Sequence, residues 1–198
     1  MESRLYREIA EQPEALRHVL VESERPVRDL VAAARRRDVR YIVLAARGTS
    51  DNAAAYAKYL LELKCGLPVA LAAPSIHTLY DGQLDYRSAL VIGVSQSGAG
   101  EDITEVVAAA RRAGALTVAI TNTAGSPLAR AAERVLLCHA GIEESVAATK
   151  TYTTTLAIFA RIAAAWAEDT EFEDHLSRIP EAAARALTGE AAVAELAR

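Results

Sequence analysis

The 198-residue sequence holds only two cysteines, Cys65 and Cys138, with no metal-ligand spacing between them. That excludes a disulfide framework and a thiolate zinc site, and it points to a reduced, cytosolic protein. Aromatic residues are scarce as well, with two Phe and one Trp. The core must therefore come from the aliphatic residues that dominate a 52% hydrophobic composition, which suffices for one α/β domain of this length. No apolar run reaches the about 20 residues that a membrane span takes. Glu2, Arg4, Arg7 and Glu8 make the start unlike a signal peptide. Excess positive charge is also missing: the net charge of −4 argues against a nucleic-acid partner. The one basic run, Arg35, Arg36 and Arg37, suits the C-terminal end of a helix, where cations meet the negative pole of the dipole.

Between residues 40 and 138 five short apolar runs alternate with helical patterns. They are Tyr41 to Ala45, Val69 to Leu71, Ala89 to Val94, Leu116 to Ile120 and Val135 to Leu137. Near-continuous apolar character suits strands covered on both faces. Ile103, Val106, Val107 and Ala110 fall at helical spacing between the third and fourth runs. The pattern predicts an α/β fold: a doubly wound, five-stranded parallel sheet in a three-layer, flavodoxin-like sandwich. Additional helices flank it. Residues 3–37 read as two helices, the second starting near Pro26, and 147–167 read as one long helix. The segment 170–198 reads as two short helices punctuated by Pro180. The expected division is 1–37 for N-terminal helices, 38–168 for the sheet domain and 169–198 for connecting helices. Leu156, Ile158, Phe159, Ile162 and Trp166 give the long helix more apolar surface than one sheet face needs, which predicts self-association as a dimer.

In an open parallel sheet, ligands bind beyond the carboxyl ends of the strands. The loop after the first run is Arg47-Gly48-Thr49-Ser50-Asp51 and that after the third is Ser95-Gln96-Ser97-Gly98-Ala99-Gly100. Hydroxyls supply short donors, glycine lets backbone N–H groups approach, and a helix N-terminus favours negative charge. Ser95, Gln96 and Ser97 together at one strand end predict an anion site, although Ser and Thr also cap helices. Ser126-Pro127 in the fourth loop reads as a helix start. The G-x-G-x-x-G dinucleotide pattern is absent, and the richest hydroxyl loop follows the third strand, not the first as an FMN phosphate loop would. His18, His77, His139 and His175 are scattered, without a nucleophile–base pairing. Glu143 and Glu144 read as surface acids or caps. The crowd of Thr149, Thr151, Thr153, Thr154 and Thr155 predicts hydrogen bonding or close packing, because threonine is a poor helix former.

Gly48-Thr49-Ser50, Ser95-Gln96-Ser97-Gly98 and Val146-Ala147-Ala148-Thr149-Lys150, in this order, resemble the SIS (sugar isomerase) domain family over residues 12 to 168. The lead-in Glu8-Ile9-Ala10-Glu11-Gln12-Pro13 is similar to the start of the isomerase part of glucosamine-6-phosphate synthase, whose relatives without a glutaminase domain include aminosugar-phosphate deaminases and isomerases. The resemblance implies that Thr49, Ser50, Ser95, Gln96 and Ser97 hold a hexosamine or ketose 6-phosphate. It implies that Val146 and Ala148 line the sugar end, and that no metal or organic cofactor is used. It also implies a second SIS domain or subunit, which carries the catalytic residues, so no residue here takes a catalytic role and the chain alone lacks turnover. Ala99, Gly100 and Ala148 depart from the synthase pattern and favour the deaminase-like branch. A sugar-phosphate sensor without catalysis is the other reading, weakened because residues 1–37 are too short for a DNA-binding domain.

Overall fold

A computed structural model describes residues 3–189. Three helices, α1 (Arg4–Ala10), α2 (Gln12–Glu22) and α3 (Glu24–Arg36), precede β1 (Tyr41–Ala45). Then follow α4 (Thr49–Cys65), β2 (Val69–Leu71), the short α5 (Ser75–Thr78), β3 (Ala89–Val94) and α6 (Glu101–Arg112). The chain continues through β4 (Leu116–Thr121), α7 (Pro127–Ala131) and β5 (Arg134–Leu137) to the long α8 (Lys150–Ala167), with α9 (Thr170–Ser177) and α10 (Ile179–Thr188) after it. The strands form one parallel sheet in the order β2-β1-β3-β4-β5. The expected doubly wound α/β fold is therefore present, with helices on both faces. The order reverses direction between β1 and β3, and the crevice beyond those two strand ends is where such sheets bind ligands.

Side-chain alternation along the strands fills two cores. Ile42 and Leu44 of β1, Leu90 and Ile92 of β3, and Val118 and Ile120 of β4 pack with α2, α3, α4 and α8. Their neighbours Val43, Ala45, Val91 and Ala119 face α6 and α7 on the other side, against Ile103, Val107 and Leu128. This is the period-two geometry of a strand applied to a sheet buried on both faces. Burying each large aliphatic side chain contributes about 1.5–3 kcal/mol, so the many small alanines need these few to anchor each layer.

Three boundaries differ from the sequence reading. The N-terminal segment is three helices, because the chain breaks at Glu11 before Pro13 and again at Ser23. α3 starts at Glu24 and takes Pro26 into its first turn, where a missing N–H costs nothing. α8 starts at Lys150 instead of Ala147, for a reason that lies in Glu143. Ser126 does start α7, its hydroxyl accepting from Ala129 N at 3.2 Å. Two threonines of α8 return their hydroxyls to the helix itself: Thr154 Oγ1 donates to Lys150 O at 2.8 Å and Thr155 Oγ1 to Thr151 O at 2.7 Å. Such back-bonding satisfies a hydroxyl that propensity alone would disfavour.

Ile158, Phe159 and Ile162 are fully buried, within the core formed by α2, α3 and α4. Three of the five residues that motivated the dimer expectation thus pack inside the chain, while Leu156 and Trp166 stay half-buried. The two short helices expected around Pro180 are α9 and α10, and the expectation for 190–198 lies outside the described residues. Among the described residues no helix is long and apolar enough to cross a membrane.

Candidate functional site

The loops after β1, β3 and β5 meet over the switch point. They enclose a cavity of about 230 Å³ lined by Thr49, Ser50, Ser95, Gln96, Ser97, Val146 and Ala148, together with Arg47, Ala53, Thr151, Tyr152 and Thr155. All the sequence-predicted site residues are brought together here. The residues that sequence reasoning missed come from two sources. Thr151, Tyr152 and Thr155 line the cavity from the first turns of α8, a face that no motif marks. Arg47 was visible at the end of β1, but only packing shows that it reaches the same cavity.

Each wall has a local cause. α4 begins at Thr49 behind Gly48, whose φ of 62° and ψ of −130° are open to glycine alone; this residue brings no capping side chain to the first N–H groups of the helix. Among the described residues the Thr49 and Ser50 hydroxyls hold no intramolecular hydrogen bond. The wall after β3 is a tight loop. Ser95 N donates to Ile120 O at 3.1 Å and Gln96 O accepts Asn122 N at 2.9 Å, tying the loop to the end of β4. Ser95 Oγ accepts from Gly98 N at 3.1 Å and Ser97 Oγ from Ala99 N at 3.3 Å. Both hydroxyls use an acceptor site in these contacts and keep a proton to donate. Ser97 is therefore not the cap of α6; that position belongs to Gly100, without a side-chain bond.

The third wall is held by Glu143. Its carboxylate accepts from Thr149 N at 2.8 Å, Lys150 N at 2.6 Å and Thr151 N at 3.3 Å. It also accepts from the hydroxyls of Thr149 and Thr151 and, at 3.3 Å, from Gln96 Nε2. The carboxylate satisfies the orphan donors at the start of α8 and suits its positive pole, which explains why the helix begins at Lys150. The reading of Glu143 as a cap holds, and the cap also bridges two walls of the cavity. Glu144 lies on the surface and pairs with Arg4.

Among the residues lining the cavity, Arg47 carries the one charge; its Nε meets Asp102 Oδ2 at 2.5 Å. Among the described residues no carboxylate, imidazole or thiol lines the cavity. The histidines lie elsewhere: His18 packs on His139 with ring centroids 5.1 Å apart, and His77 Nε2 meets the Tyr86 hydroxyl at 2.8 Å. Burial pushes the Cys65 thiol up to about 12 and the Cys138 thiol up to about 11, so neither supplies a thiolate nucleophile at neutral pH. No cluster among the described residues fits a metal ion.

The likeness to known proteins covers the part of the chain that holds these loops. The family model described as SIS domain matches residues 37–165. The glutamine–fructose-6-phosphate aminotransferase [isomerizing] of Methanothermobacter thermautotrophicus is 37% identical over 193 residues, which are 98% of this chain and 32% of that protein. The chain thus spans about a third of the length of the curated relatives it matches. A crystal structure from Silicibacter pomeroyi, described as a phosphosugar isomerase, superposes with a TM-score of 0.90 and 42% identity, covering 93% of this chain and 57% of that one. The C-terminal domain of glucosamine-fructose-6-phosphate aminotransferase from Francisella tularensis gives a TM-score of 0.84 at 25% identity, covering 99% of this chain and 58% of that one. With its sheet order, its hydroxyl loops at the switch point and its sequence all in agreement, the chain belongs to the SIS domain family and is homologous to the isomerase domain of glucosamine-fructose-6-phosphate aminotransferase.

Proposed function

We propose that this chain is the first of two sugar-phosphate-binding halves of an aminosugar-phosphate isomerase or deaminase, with a hexosamine or ketose 6-phosphate as ligand. One observation carries the reading. The hydroxyl residues Thr49, Ser50, Ser95 and Ser97, the uncapped start of α4 and Arg47, whose guanidinium also pairs with Asp102, converge on one cavity. That is a set of donors with no opposing carboxylate in the lining, the composition that an anion requires. Val146 and Ala148 lie on the β5 side and form the wall for the sugar. Moving a proton between adjacent carbons needs a base, and among the described residues lining this cavity none is a carboxylate or an imidazole. In this reading the base is supplied by a second SIS domain or a second subunit, in keeping with relatives about three times as long as this chain.

Calorimetry with glucosamine 6-phosphate and with glucosamine tests the reading. Measurable binding of the phosphate ester and none of the neutral sugar is the expected result, and equal binding of both would remove the phosphate site. Ser97→Ala sharpens the test. Loss of a hydrogen bond to a charged phosphate costs about 1.5–3 kcal/mol, roughly 10- to 150-fold in affinity. Ser97 caps no helix, so the substitution is expected to weaken glucosamine 6-phosphate binding at least about tenfold while leaving the melting temperature of the free protein nearly unchanged. A lower melting temperature with unaltered affinity would assign Ser97 to loop structure and move the phosphate contact to Ser50 and Ser95.

A further inference from the structure

The segment Glu8-Ile9-Ala10-Glu11-Gln12-Pro13 lies outside the cavity, yet its acids reach the loop that forms one cavity wall. Arg4, Glu8 and Glu11 are spaced by four and three residues along helical backbone, so they share one face, and that face meets residues 142–150. Arg4 Nε pairs with Glu144 at 3.3 Å. Glu8, which is 5% exposed, accepts Glu144 N at 2.7 Å with Oε1 and Ser145 N at 3.2 Å with Oε2. Glu11 takes the ammonium of Lys150, whose side chain is 3% exposed and which also donates to Ile142 O at 2.8 Å.

These contacts join loop to helix by charge-assisted hydrogen bonds, each stronger than a neutral one. A buried carboxylate needs such donors to remain charged. The Ser145 hydroxyl is buried without a hydrogen-bond partner among the described residues. Donors of Ser145 and Glu144 hold the Glu8 carboxyl below its ordinary value, so the group is ionised at neutral pH. The loop itself has little else. Ile142 and Val146 are largely solvent-exposed, and no hydrophobic anchor fixes the stretch between Glu143 and Thr149. Its position is set by polar contacts: Glu143 from the α8 side, and Glu8 and Glu11 from the N-terminal helices.

We propose that α1 and the turn after it are a positioning element of the site, with Glu8 and Glu11 fixing the loop 142–148 and so setting the wall formed by Val146 and Ala148. The proposal rests on the reading of this cavity as a sugar-phosphate site. It assigns Glu8 and Glu11 as positioning residues that touch no ligand and act through Glu144, Ser145 and Lys150. The wall they hold faces the sugar, whereas the hydroxyl loops after β1 and β3 are anchored without them. The two ends of the ligand should therefore respond differently to loss of the clamp.

Glu8→Ala in the full chain tests this with two readouts. The first is affinity for glucosamine 6-phosphate compared with inorganic phosphate. The expected result is a loss of at least about tenfold for the sugar phosphate, the scale of one charge-assisted hydrogen bond, with inorganic phosphate unchanged within about twofold. Unchanged sugar-phosphate affinity, or an equal loss for both ligands, would overturn the proposal. The second readout needs no ligand: amide hydrogen exchange at Glu144 and Ser145. Exchange there is expected to be slow in the wild-type chain and to accelerate at least about tenfold in Glu8→Ala, while the amides of β3 keep their protection. If the wild-type chain binds neither ligand, the sugar-phosphate reading fails by itself, and the exchange measurement still decides the clamp: equal exchange in both proteins would refute it.

Discussion

Gly98→Ala is expected to remove sugar-phosphate binding and to destabilise the chain by about 2–4 kcal/mol, combining left-handed strain with overpacking. Gly98 has a φ of 63°, and a Cβ built on it would lie 2.2 Å from Ser126 Oγ and 2.5 Å from Ser126 Cβ. Turning the Ser126 hydroxyl away would break its cap on Ala129 N and would still leave the Cβ clash. Moving the Gly98 backbone would stretch the bond from Leu128 N to Gly98 O, 3.0 Å long. The collision therefore passes into the Ser95–Gly98 loop, which lines the cavity. Two other glycines separate the causes. Gly114 has a φ of 90° with open space around a built Cβ, so Gly114→Ala carries the left-handed cost alone, about 1–2 kcal/mol. Gly125 has neither a positive φ nor a close neighbour, and Gly125→Ala should be neutral within about 0.5 kcal/mol. Urea unfolding of the three variants, with glucosamine 6-phosphate calorimetry on each, gives the ranking. A Gly98→Ala protein as stable as Gly125→Ala would show that the loop accommodates a side chain and that glycine there is incidental.

Phe159→Ala should be the most damaging single truncation in the core, costing about 3–5 kcal/mol. Phe159 is fully buried in the middle of α8, where the helix is wrapped by α2, α3 and α4. For a chain of this size each kcal/mol moves the melting temperature by about 2–4 °C, so a fall of roughly 6–20 °C is expected. Val21→Ala, at a residue 66% exposed, serves as the control and should change stability by less than about 0.5 kcal/mol. The experiment also separates two roles for the helix. If α8 stabilises the fold from within, the loss is independent of protein concentration. A loss that appears only on dilution would return the helix to a subunit interface, since stability then follows mass action.

The strand runs were legible because a strand covered on both faces leaves little freedom in sequence: β1, β3 and β4 are apolar almost without interruption. Helix α6 was legible for the complementary reason, one apolar stripe at 3.6-residue spacing. The hydroxyl loops stood out because their glycines and serines follow strand ends, and sheet topology makes strand ends the place for ligands. Helix starts were less visible. Ala147 and Ala148 favour a helix by propensity, yet α8 begins at Lys150 because Glu143 collects the N–H groups of Thr149, Lys150 and Thr151. No local rule predicts a cap seven residues before the helix it serves.

The sequence by itself determined the succession of strands, their cover on both faces and the loops that carry hydroxyls, because these follow from periodicity and local backbone chemistry. Only the tertiary structure decided which surfaces meet. It turned the apolar face of α8 inward, since α2 and α3 fold back to cover it, and it brought Arg47, Thr151 and Tyr152 to the same cavity as the serine loops. It also set Glu8 against the amides of Glu144 and Ser145, 136 and 137 residues away along the chain. Contacts of that separation leave no period or spacing in the sequence: they are fixed by the packing of whole elements, and a polar pair becomes specific only when that packing has removed the water that would otherwise satisfy each partner alone.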